Sequence, residues 1–139
     1  MVDFSNLLAI KSDSDFERIA LEVFHYQLKN CSIYRDYVHL LNRQNAKSLE
    51  EIPFLPIEFF KTRTIVSTNK PVEATFTSSG TTGSIVSKHH VCDLEVYKQS
   101  FRRGFDSFYG NIEDYAVLAL LPSYLEREGS SLIYMVDSM

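Results

Sequence analysis

The stretch TFTSSGTTGSIVSKHH, Thr75 to His90, decides how this chain is read. Before it, Val72, Ala74 and Phe76 alternate with Glu73 and Thr75, the pattern of a strand with one buried face. Seven consecutive small residues, Thr77 to Gly83, come next, and two of them are glycine in a chain that has five glycines among 139 residues. Glycine lets successive backbone N–H groups converge on one point and form a nest for an anion. The hydroxyls of Thr77, Ser78, Ser79, Thr81 and Thr82 add rotatable donors around that point. A hairpin tip, in which Gly and Ser only turn the chain, is the plain alternative. Ser87–Val91 reads as the partner strand of a hairpin around the loop. Gly80 and Gly83 are wrongly spaced for a Walker A motif and no Gly-Lys-Ser/Thr follows, and the segment is not a G-x-S-x-G nucleophile elbow.

Upstream, Phe16, Ile19, Ala20, Val23, Phe24, Gln27 and Leu28 follow helical spacing, with Ser14 and Glu17 placed as a capping box. Tyr34, Tyr37, Val38 and Leu41 mark one face of a second helix. Pro56 is positioned to open a short helical turn carrying Ile57 and Phe60. Thr64–Ser67 reads as a short strand and Ser67–Pro71 as a turn. Downstream, Asp93 predicts the N-cap of a long helix with Leu94, Tyr97, Phe101, Phe105 and Phe108 inward, closing at Gly110. Tyr115–Leu121, YAVLALL, lacks alternation and reads as a strand buried on both faces. Leu132, Met135, Val136 and Met139 restart a helical period. That apolar stripe has no stop signal after it, which predicts that residues 1–139 are the amino-terminal part of a longer domain and that the isolated chain self-associates.

Composition narrows the partners. A net charge of −4 gives no electrostatic reason for nucleic acid or an anionic membrane. No run reaches the length of a membrane span, and the amino terminus lacks a basic segment followed by an apolar core, so a cytoplasmic protein is expected. Cys31 and Cys92 make neither a disulfide framework nor a zinc pattern and read as small buried thiols. His89 and His90, adjacent on a strand, point to opposite faces, and no further ligand at suitable spacing completes a metal site. His25 and His39 fall on separate helices. Glu126-Arg127-Glu128 reads as a solvated loop.

FTSSGTTGS, Phe76–Ser84, resembles the T-S-G-T-T-G phosphate loop of the adenylate-forming superfamily, which includes acyl-CoA synthetases, luciferases and nonribosomal adenylation domains. IPFLPIEFFKTRTIVS upstream, SKHHVCDLEVYKQSF downstream and LALLPSYLEREGSSLIYMV near the end look like the acyl-protein synthetases, the fatty-acid-activating subunits of the bacterial luminescence reductase and their non-luminous relatives. The resemblance runs from about Ile52 to the end and more weakly through the first helices. It implies an α/β fold, the amino-terminal subdomain of an adenylate-forming enzyme, with helices packed on a small, mostly parallel sheet and a hairpin-like phosphate loop.

The activity it implies has two steps. ATP and a fatty acid give an acyl-adenylate and pyrophosphate, and the acyl group then moves to an enzyme cysteine. Thr77, Ser78, Ser79, Gly80, Thr81, Thr82 and Gly83 would hold the ATP phosphates, with Mg2+ bridging them. An acyl-CoA reductase-like protein is the implied protein partner. Many relatives place Lys-Pro directly after the loop, where this chain has Ser84-Ile85; Lys88 is the nearest lysine and the candidate phosphate contact. Ser123 and Tyr124, after the expected buried strand, are candidates for the acyl side, because α/β proteins place ligands at the carboxyl ends of strands. The adenine-binding segment, catalytic lysine and acceptor cysteine are expected beyond Met139, so residues 1–139 alone should not run the whole reaction. Two alternatives stay open: a phenylacetate-type CoA ligase, whose loop is closely similar, and a non-catalytic anion- or partner-binding module.

Overall fold

A computed structural model describes residues 9–78, 85–120 and 129–139. The chain divides into two compact units, Met1–Lys70 and Pro71–Met139.

The first unit is helical. Helix α1, Asp13–Asn30, begins at Ser12, whose hydroxyl accepts the Asp15 N–H at 3.2 Å and donates to the Asp15 carboxylate at 2.8 Å. The cap therefore lies two residues before the expected Ser14–Glu17 box. Glu17 is drawn elsewhere, its carboxylate accepting the Leu49 N–H at 3.4 Å. Helix α2, Ser32–Leu40, follows after the single residue Cys31. Phe24, Cys31, Tyr34, Val38, Ala46 and Ile52 form the core, and the Tyr34 hydroxyl donates to the Pro53 carbonyl at 2.7 Å. The Pro56 carbonyl accepts the Phe59 N–H, leading into the one-turn helix α3, Phe59–Thr62. Phe59 packs on Tyr37, with ring centroids 5.8 Å apart, and Ile57 is exposed. Thr64–Ser67 forms no strand; Ile65 instead packs its side chain against the core.

The second unit is α/β. Strands β1, Ala74–Thr77, and β2, Lys88–Val91, pair antiparallel, with Ala74 opposite Val91 and Thr77 opposite Lys88. Helix α4, Leu94–Tyr109, has the expected Asp93 N-cap and ends at Gly110, whose φ of 86° suits glycine. Helix α5 spans Ser131–Asp137. The Phe76 ring lies 5.2 Å from Tyr97 of α4 and 5.4 Å from Tyr134 of α5, so both helices pack on the buried face of β1.

The mostly parallel sheet is corrected here: the described strands are two and antiparallel. A short connection can only return the chain antiparallel, whereas a parallel pair needs a crossover of about a dozen residues or more. Tyr115–Leu120 forms no strand and is exposed, so the reading of that run as a doubly buried strand fails for these residues. Phe108 is also exposed, on the outer side of α4.

Candidate functional site

The base of the β1–β2 hairpin holds three of the predicted site residues, Thr77, Ser78 and Lys88. The alternation that buries Phe76 puts Thr75 and Thr77 on the other face of β1, and register sets Lys88 directly opposite Thr77. One step further toward the loop, Ser78 and Ser87 face each other. The Ser78 N–H donates to the Ser87 carbonyl at 3.1 Å, and the Ser87 N–H donates to Ser78 Oγ at 3.1 Å. The Ser87 hydroxyl also donates to Ser78 Oγ at 3.2 Å. On the opposite edge of β1, the Thr77 N–H donates to the Gly129 carbonyl at 2.8 Å.

Of the loop residues singled out from the sequence, the structure thus places Thr77 and Ser78, with Lys88 beside them. Ser79, Gly80, Thr81, Thr82 and Gly83 lie outside the described residues, as do Ser123 and Tyr124. His89 stands opposite Phe76 and His90 opposite Thr75, whose Oγ1 is 2.9 Å from His90 Nδ1. The two imidazoles therefore belong to opposite faces. Cys31 and Cys92 are free and buried, as expected of packing thiols. Among the described residues, no group of three His, Cys, Asp or Glu side chains could hold a metal ion.

The electrostatics of the hairpin are lopsided. Thr77, Ser78, Ser87 and Lys88 carry three hydroxyls and an exposed ammonium, with no carboxylate among them. The described acidic groups of the hairpin sit at its other end, roughly 13 Å along the strand. There Glu73 accepts the Leu94 N–H at 2.8 Å and Asp93 accepts the Val96 N–H at 3.4 Å, so both serve the positive end of α4. Hydroxyls and an ammonium are donor types that a polyphosphate takes, with the Ser87 hydroxyl already given to Ser78. Those four residues offer no anionic ligand, so they suit Mg2+ only as an ion already carried by phosphate oxygens.

Two residues at this site were not picked out from the sequence. Ser87 is legible only once the register is fixed, because its role depends on facing Ser78. Gly129 has φ 81°, and a Cβ there would lie 3.2 Å from both the Thr75 carbonyl oxygen and Thr77 Oγ1. The scarcity of glycine in the chain is the one sequence signal that could have pointed to it.

Over 70 residues the chain is 36% identical to a long-chain-fatty-acid–luciferin-component ligase from Photorhabdus luminescens. The match takes in 48% of this chain and 60% of that protein. The likeness to that ligase is a partial one, spanning less than two thirds of its length. No family model matches it, and no solved structure does. Among the described residues, no helix is long and apolar enough to cross a membrane.

Proposed function

We propose that this chain is part of an ATP-dependent ligase that activates a fatty acid as its acyl-adenylate and passes the acyl group to an enzyme cysteine. The observation that carries the reading is the 36% identity over 70 residues to a fatty-acid ligase. The hairpin base is compatible with it, because Thr77, Ser78, Ser87 and Lys88, three hydroxyls and an ammonium, flank the two ends of the loop. In this reading Thr77–Gly83 hold the β- and γ-phosphates and Lys88 adds a positive charge beside Thr77. The fatty carboxylate attacks the α-phosphorus, the bond to the β-phosphate breaks, and pyrophosphate leaves. A thiolate then attacks the acyl carbonyl and AMP leaves. Mg2+ supplies charge neutralisation across the phosphates. The loop's own contribution is positioning and charge stabilisation, with hydrogen bonds to charged acceptors worth about 1.5–3 kcal/mol each. An acyl-CoA reductase-like protein is the partner we assign to the parent enzyme, a role that rests on the sequence resemblance alone.

The test is an NMR titration of the chain with magnesium pyrophosphate. The amides of Thr77, Ser78 and Lys88 should shift, with a dissociation constant near millimolar, about −4 kcal/mol. Ser79→Ala and Thr81→Ala should weaken binding without changing the fold. Unmoved amides at roughly ten times a millimolar constant, together with full tolerance of both changes, would leave only a hairpin tip.

A further inference from the structure

The first unit carries an apolar trough, remote in sequence from the hairpin. Phe16, Ala20, Val23 and Gln27 line it, and their spacing of four, three and four puts them on one face of α1. Phe54, Leu55, Ile65 and Ser67 line it from the segments that follow α2, together with Phe24 and Cys31 of the core. The space is about 250 Å3. An apolar cavity of roughly 150 Å3 already stays dry and takes a molecule the size of benzene. Phe16 and Gln27 are eleven residues apart, about 16 Å of helix. This volume spread over that length is narrow, and it suits a chain rather than a ring.

One end of the trough is polar. Its amide- and hydroxyl-bearing residues are Gln27, Ser67 and Tyr34, and the Tyr34 hydroxyl is given to the Pro53 carbonyl at 2.7 Å. Thr68 and Asn69 share a second, open groove with Glu22, His25, Lys29 and Asn30. The backbone after Ser67 therefore runs past the carboxyl half of α1, which sets Ser67 at the Gln27 end. In the adjoining groove Glu22 is held by Arg18 at 2.9 Å. Lys29 is exposed there, and its full positive charge exceeds the roughly half unit of negative charge at the end of α1. We infer that the first unit binds the alkyl chain of a single-chain amphiphile in this trough, with an anionic head group at the Gln27–Ser67 end. Apolar walls with a few polar groups gathered at one place are the usual make-up of a ligand pocket. Gln27 and Ser67 bring N–H and O–H groups to the head. The inference uses residues of the first unit alone and does not rest on the ligase reading.

The experiment is an NMR titration of the whole chain with sodium decanoate below its micelle concentration, read on the Ala20, Val23 and Ile65 methyls. These should shift together and saturate as one site, with the second unit unmoved. Shortening the chain should weaken binding about fourfold for each methylene removed. Decyltrimethylammonium, with the same tail and the opposite charge, should bind less tightly than decanoate. Ala20→Phe puts a ring into the trough from α1 and should abolish binding. Phe54→Ala, at a side chain 74% exposed, spares the core and should weaken binding several-fold. Unmoved methyls, shifts that appear only once micelles or vesicles form, or equal binding of the cationic probe would each overturn the inference. So would decanoate binding left unchanged by Phe54→Ala and by Ala20→Phe. The pyrophosphate titration is read on the hairpin amides, so the two readings fail separately.

Discussion

At the scale of single residues, the glycines separate by backbone demand. Gly129 needs positive φ and close quarters, with 3.2 Å to the Thr75 carbonyl oxygen for any added Cβ. Gly129→Ala should cost about 1–2 kcal/mol from the left-handed conformation alone, with further loss from displacing Thr77. Gly104 is helical with nothing within 4 Å of an added Cβ, so Gly104→Ala should stabilise α4 by about 0.5–1 kcal/mol. Urea unfolding of the two variants should move midpoints in opposite directions. Tyr34 gives a second residue-level test. Burial, then its neighbours Tyr37 and Cys31, push its hydroxyl up from 10.0 to about 12. The folded state holds this proton more tightly than the unfolded state. Its contribution to stability is therefore intact below pH 10 and lost as pH rises through about 12. A tyrosinate absorbance titration should show one phenol ionising last, and Tyr34→Phe should remove that step. All eight tyrosines ionising together would contradict the buried hydroxyl.

At the scale of elements, the hairpin converts an alternating pattern into a site. Phe76 anchors β1 against Tyr97 and Tyr134, and its removal takes away the surface on which α4 and α5 rest. Phe76→Ala should cost about 3–5 kcal/mol, a large share of a domain's usual 5–15. We expect the second unit to lose its cooperative melt while Tyr34 in the first unit keeps its late ionisation. Parallel loss of both would show that the two units do not fold separately. These elements also show what the sequence could carry. The hairpin, the Asp93 cap and the Gly110 stop were legible because each depends on neighbours within a few residues. The Ser12 cap was misplaced by two positions because Ser14–Glu17 matches the same box, and only the Leu49 N–H draws Glu17 away. Thr64–Ser67 and Tyr115–Leu121 were read as strands from apolar content alone, and a strand also requires a backbone partner that content does not specify. Within the site, residue type singled out Thr77 and Ser78, and the resemblance added Lys88 as a candidate. Ser87 and Gly129 depended on register and on close approach, neither of which is written in spacing.

At the scale of the whole molecule, the exposed apolar surface lies in a different place from the one expected. The stripe on α5 is largely covered, since Met135 and Val136 are half-buried and only Leu132 stands out, at 44% exposed. Among the described residues, Tyr115–Leu120 is the longer exposed apolar run, where Leu118 is 95% and Leu120 94% exposed. Burying side chains of this size is worth about 1.5–3 kcal/mol each, so two leucines and their neighbours supply a real driving force for association. In an extended chain, residues 118 and 120 share a face, so both can enter one contact. We therefore expect the chain to self-associate through this segment. Sedimentation at rising protein concentration should show species heavier than 16.0 kDa. The double change Leu118→Lys and Leu120→Lys should return the chain to monomer, because two ammonium groups on that face resist burial and repel their copies. Leu132→Lys should have a smaller effect, as α5 offers less open surface. A wild-type chain that stays monomeric at high micromolar concentration would mean that this exposed run does not drive association.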